Sequence, residues 1–197
     1  IGLLLLFKLF LKKLFFKHYF KNVFIFENEK NLRLNSVNYF GYFQSKKLIE
    51  GNIENFNSYC KLLNSLIINK YSTKFNPIDV CVHFRWSDSD WAKVNSKYYS
   101  VILKNLINYR KNTKVVVLTD DIDKANFFFK DLKNKKIKRN SPFEDFKSLM
   151  CASNLYIAPS TFSWWAAHLS KSATNVYMPK SLFNSLGYHG NASLTIL

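Results

Sequence analysis

The residues in this chain best equipped for chemistry fall into three short polar clusters, each directly after an apolar run. The first is His83-Phe84-Arg85-Trp86-Ser87-Asp88. Arg85 offers a planar fork of donors that matches the oxygens of a diphosphate. When a group leaves a nucleoside diphosphate, charge builds on the departing phosphate, and a fixed cation there lowers the barrier. The alternative is an ordinary surface ion pair between Arg85 and Asp88 or Asp90. The second cluster, Thr119-Asp120-Asp121, carries paired carboxylates. They could bind a metal, accept from ribose or base donors, or cap the next helix, which is the commonest use of Asp at such a position. With no companion acidic or His cluster at ligand spacing, a metal is not expected. The third cluster is Ala158-Pro159-Ser160-Thr161-Phe162-Ser163-Trp164-Trp165-Ala166-Ala167. Small hydroxyl residues opening a helix combine unsatisfied N–H groups with the positive end of the macrodipole, and so make an anion site. The same residues could instead be a plain N-cap on a buried aromatic helix. The Trp-Trp-Ala-Ala run favours a rigid support behind a shaped loop.

These clusters need elements to hold them. Asp79 to Phe84 reads as a short strand, and a helix is expected from about Ser96 to Tyr109, with Val101, Leu103, Leu106 and Ile107 on one face. Lys114 to Thr119 is a continuous apolar strand of the kind covered on both faces. A helix follows from Asp123 to about Asp131, then a basic connection with a small edge strand at Lys136-Ile137-Lys138. Ser141-Pro142-Phe143-Glu144 has the N-cap, the proline and the acidic residue of a strong helix start, and that helix should run to about Ala152. Asn154 to Ala158 is the next strand, Thr161 to Leu169 a helix, and Thr174 to Met178 a strand ended by Pro179. Strand and helix alternation predicts an α/β, Rossmann-like, doubly wound parallel sheet over residues 76–197, whose ligands bind beyond the carboxyl ends of the strands. All three clusters sit at such ends. Residues 1–75 are less regular and are expected to be the remnant of a preceding domain, or a collar against the sheet.

The bulk numbers set the frame. Of 197 residues, 48% are hydrophobic and 21% charged, which is ordinary for a folded protein. The net charge of +16 favours anionic partners, although much of it is lysine on a solvated face. No nucleic-acid-binding signature accompanies it, so nucleic acid is not an expected partner. Cys60, Cys81 and Cys151 lack paired spacing; a disulfide framework or zinc site is not expected, and a reducing, cytoplasmic setting is. Residues 1–20 read as an amphipathic cationic helix, either packed in a first domain or lying on an anionic membrane surface. Neither Gly-x-x-x-x-Gly-Lys-[Ser/Thr], Gly-x-Gly-x-x-Gly nor Gly-x-Ser-x-Gly occurs, which points away from nucleotide triphosphatases, dinucleotide enzymes and α/β-hydrolases.

Taken together the motifs resemble a known family. His83 to Asp88 is similar to the His-x-Arg-Arg-x-Asp motif of α-1,2- and α-1,6-fucosyltransferases. Ser160 to Ala167 is similar to the Ser-[Ser/Thr]-Phe-Ser-Trp-Trp-[Ala/Gly]-Ala segment of the α-1,2 family, and this is the most specific match. Thr119-Asp120-Asp121 and Gly41-Tyr42-Phe43-Gln44-Ser45 resemble two further family segments, and all four occur in the family's order. The resemblance implies a GT-B fold with GDP-fucose as donor, a glycan acceptor, inversion at the sugar, and no metal or other cofactor. It implies Arg85 on the β-phosphate, and His83 with Asp120 or Asp121 on the guanosine. Asp88 falls at the motif's closing carboxylate, while Ser160, Thr161, Phe162 and Ser163 would line the phosphate loop. Two features depart from the pattern. Trp86 stands where the motif has its second Arg, and the family's Gly-Gly-x-Gly-Asn-Gln segment does not occur. The missing segment, with Ile1 in first place, leads to the expectation of an N-terminally truncated chain. The competing readings are a non-catalytic donor-binding remnant and a GT-B transferase for another nucleotide sugar.

Overall fold

The computed structural model describes residues 46, 50–51, 53–71, 77–86, 91–109 and 113–197. The Gly41–Ser45 segment, residues 1–20 and Asp88 lie outside the described residues. Helices and strands alternate in the order α1 (Ile53–Tyr71), β1 (Ile78–Phe84), α2 (Trp91–Ile107), β2 (Val115–Thr119), α3 (Ile122–Phe128), β3 (Lys135–Lys138), α4 (Pro142–Met150), β4 (Ala152–Tyr156), α5 (Thr161–Leu169), β5 (Asn175–Met178), α6 (Lys180–Leu186) and β6 (Ser193–Ile196). The six strands form one sheet in the order β3-β2-β1-β4-β5-β6. Every neighbouring pair is parallel. This is the doubly wound order, in which the chain builds outward in one direction and then returns to the centre to build in the other.

The strand sequences account for the layering. β1 is buried from Val80 to Phe84, as a central strand covered on both sides must be. Val80, Val82 and Phe84 point to one face and pack with Tyr99, Ile102 and Leu106 of α2 and with Ala125 and Phe129 from α3 and its cap. On the other face, Cys81, Leu118, Leu155 and Ile157 meet Phe146 and Leu149 of α4 and Trp164 and Ala167 of α5. Helix α1 adds a further layer over α5. The Phe56 ring lies 5.8 Å from Trp164 and 5.7 Å from Trp165, and the Asn64 amide donates to the Leu169 carbonyl. Residues 53–71 thus pack against the sheet layer through α5.

Several boundaries differ from the sequence expectation. Helix α2 starts at Trp91, earlier than expected. Helix α3 ends at Phe128 because the Phe129 N–H closes on the Ala125 carbonyl and Leu132 N–H then turns back to Phe129. Strand β4 is Ala152–Tyr156, and Ile157 extends its ladder by donating to the Tyr177 carbonyl. Pro179 ends β5 as expected but also serves as the N-cap of α6, with φ −67° and ψ 139°. Beyond α6, Ser193–Ile196 pairs with β5 as an edge strand. All three cysteines are free thiols. Among the described residues no helix is long and apolar enough to cross a membrane.

Candidate functional site

The sheet order places its switch point between β1 and β4, and in open sheets of this kind the loops leaving such a pair of strands diverge to leave a crevice. The described residues of the first cluster, and the third cluster, leave these two strands. At the crevice the His83 ring, on a buried residue of β1, lies 5.7 Å from the ring of Phe162 in the first turn of α5. Phe162 in turn meets Phe146 of α4 edge-on at 5.3 Å, so the α5 start is braced from both sides.

The loop after β1 is held by two groups that the strand itself does not supply. The Arg85 backbone N–H donates to the Tyr99 hydroxyl at 3.1 Å. The Trp86 backbone N–H donates to Asp120 Oδ1 at 2.8 Å. Tyr99 is fully buried on α2, with its ring 4.6 Å from Phe84. Burial pushes its pKa up, so the hydroxyl keeps its proton and faces the His83 and Arg85 carbonyls at 3.5 Å each. The Trp86 indole stacks on Phe84 at 5.3 Å and 12°. The residue that departs from the motif therefore lends its ring to the core on the α2 side, while its neighbour Arg85 follows directly from the clamped backbone.

The two carboxylates after β2 divide their work. Asp121 is the N-cap of α3, and its Oδ1 accepts from the Lys124 N–H at 2.9 Å. The Asp121 N–H is itself taken by Thr119 Oγ1 at 2.9 Å. Asp120 instead joins the β2 loop to the β1 loop through Trp86. Among the described residues no three His, Cys, Asp or Glu side chains gather as a metal-holding group.

At the third cluster Ser160 is the N-cap of α5, and its hydroxyl accepts from the Phe162 N–H at 3.3 Å. Ser163 is fully buried, its hydroxyl within 3.2 Å of both the Ala158 and Ser160 carbonyls. It ties the loop from beneath and does not line its outer surface, whereas Ser160, Thr161 and Phe162 are partly exposed at the crevice. Trp164 is fully buried, and its indole N–H donates to the Gly187 carbonyl at 2.8 Å. Gly187, at φ 66°, ends α6 in the left-handed region that favours glycine. The first turn of α5 is thus tied to the end of α6 by a buried tryptophan.

The structure brings His83, Arg85, Asp120, Ser160, Thr161 and Phe162 to the carboxyl ends of neighbouring strands, with Asp121 and Ser163 supporting from within. Tyr99 is the member that motif reading missed. Its only signal was a tyrosine, with a polar tip, on the apolar face of the helix expected after the first cluster.

A family model described as Glycosyl transferase family 11 matches residues 8–187, a span that contains all three clusters. No curated protein and no solved structure gives a significant match. With the match covering most of the chain, the chain belongs to glycosyltransferase family 11.

Proposed function

We propose that this chain transfers L-fucose from GDP-fucose to a galactose-type hydroxyl of a glycan, as an inverting α-1,2-fucosyltransferase, with no metal or cofactor. The observation that carries the reading is the pairing, at the β1–β4 switch point, of a clamped Arg85 loop with the N-terminal end of α5. In this reading the diphosphate lies against the first turn of α5, where backbone N–H groups and the dipole attract it. Arg85 meets the β-phosphate, His83 and Asp120 meet the guanosine, and Asp88 completes the motif. The acceptor hydroxyl attacks the anomeric carbon from the face opposite GDP. As the new C–O bond forms, the acceptor hydroxyl gives up its proton to solvent, and the bond to the β-phosphate oxygen breaks with its electrons leaving on GDP. Arg85 and the helix end stabilise the charge that develops there, which is the work a divalent cation would otherwise do. The sheet domain is proposed as the donor half of a GT-B enzyme, with the acceptor half supplied from the N-terminal side.

Trp86 supports a second reading, donor binding without turnover, because it replaces a cation of the motif. An assay of GDP release from GDP-fucose, with and without a β-galactoside, separates the two. Acceptor-dependent release that persists in EDTA supports the transferase. GDP binding without release supports the second reading, and preference for a uridine or adenine nucleotide sugar overturns both.

A further inference from the structure

Helix α3 and the turn after it carry a surface that the donor site does not use. Phe127 is 72% exposed, well beyond Ile107 at 55%, the next of the exposed large hydrophobics among the described residues. The Lys130 ammonium stands 5.7 Å from the centre of its ring. Ile122, at the start of the same helix, is also exposed. In the same segment Lys124, Lys130, Lys133, Lys136 and Arg139 are exposed, and residues 122–139 hold seven Lys or Arg against two Asp.

This basic unit is built, not trailing. Ala125, Phe129 and Leu132 are buried and anchor it to the sheet. The Lys135 ammonium donates to the Lys130 and Leu132 carbonyls, which fixes the turn that presents Lys130 and Lys133. The unit ends in β3, the edge strand of the sheet.

We propose that the α3–β3 unit is a peripheral membrane contact that docks on a bilayer rich in anionic headgroups. An exposed aromatic with a lysine ammonium beside it, on a basic segment, suits the membrane interface: the ring enters the headgroup–acyl boundary, while the ammonium groups lie among the phosphates. Six of the seven cations are lysines, point charges suited to a diffuse negative surface. A nucleic-acid contact would favour arginine forks, which match phosphate and base edges. A second copy of the chain pairing at the β3 edge would set lysine against lysine, an arrangement that edge strands use to prevent pairing.

The test is co-sedimentation of the full chain with phosphatidylcholine vesicles, with and without phosphatidylserine. The parent binds only the anionic vesicles, and added salt releases it. Phe127→Ser weakens partitioning about tenfold, and Lys130→Glu with Lys133→Glu by at least about tenfold. Both sets lie on exposed positions, and unchanged melting temperatures verify the fold. If either variant binds like the parent, or the parent ignores phosphatidylserine, the proposal fails. It fails equally if single-stranded RNA displaces the parent from the vesicles and binds it more tightly than they do.

Discussion

Asp120 and Asp121 are adjacent carboxylates with separate duties, and replacing each with alanine should produce separate losses. The Asp120 carboxylate accepts the Trp86 N–H at 2.8 Å, a hydrogen bond to a charged group. Such a bond contributes about 1.5–3 kcal/mol. Removing it frees the backbone next to Arg85, and Asp120→Ala should weaken GDP binding by a corresponding factor of about 10 to 150. Asp121 instead caps α3 by accepting from Lys124. Asp121→Ala should cost about 1 kcal/mol of stability, the usual worth of an N-cap, and lower the melting temperature by about 2–4 °C. It should leave GDP affinity within about threefold of the parent, as a local cap change away from the ligand would. Isothermal calorimetry with GDP and thermal denaturation, run on both variants, separate the two roles. If Asp121→Ala loosens GDP as much as Asp120→Ala does, the division of labour drawn from the geometry is wrong. Parent-like affinity in Asp120→Ala would refute the clamp itself.

Three further predictions follow from the site and its support. Ser163→Ala removes the buried hydroxyl beneath the α5 loop and should cost about 1 kcal/mol of stability, whereas Trp164→Ala, which empties a fully buried site, should cost about 3–5 kcal/mol; denaturant titration distinguishes them. Arg85→Ala should lower fucose transfer about a hundredfold, and Arg85→Lys should recover little, because an ammonium lacks the two-pronged donor geometry; initial rates under saturating donor provide the check. Stability should also fall in acid through His168. Its Nδ1 lies 2.8 Å from the Trp164 carbonyl and its Nε2 accepts the His189 N–H at 3.1 Å, so the ring is held neutral. Burial, with His189 nearby, lowers its pKa from 6.5 to about 4. A depressed folded pKa means the unfolded chain takes the proton first. The contribution is therefore complete above about pH 6.5, declines by about 3 kcal/mol as pH falls toward 4, and is constant below; His168→Gln should flatten that part of the pH–stability curve.

Much of the fold was legible because the central strands are unbroken apolar runs and the helices between them start with recognisable caps. Ser141-Pro142 opened α4 where expected, with the Ser141 hydroxyl accepting from the Glu144 N–H. The edges were harder to read. Ser193–Ile196 is a short strand whose residues are mostly exposed, so no apolar run marks it. Pro179 reads as a stop, and its second use as the cap of α6 depends on backbone angles that a residue name does not reveal. At the site, motif spelling located the loops but not the bonds that shape them. The Tyr99 hydroxyl reaches Arg85 only because β1 and α2 pack face to face, and Asp120 reaches Trp86 only because β1 and β2 are neighbours in register, with Phe84 opposite Thr119. Ser163 had the composition of a ligand-facing hydroxyl, yet the turn of α5 directs it inward to the loop's own carbonyls.

The central claim is a GDP site at the β1–β4 switch point, with Arg85 and the α5 end holding the diphosphate. Its most direct test is a calorimetric titration of GDP, and in parallel UDP, into the full chain and into Arg85→Ala, with EDTA present throughout. A single GDP site is expected, one that discriminates against UDP and weakens at least about tenfold in Arg85→Ala, the loss expected for one charged hydrogen bond. Equal affinity for GDP in parent and variant, or no GDP binding until a divalent cation is added, would contradict it.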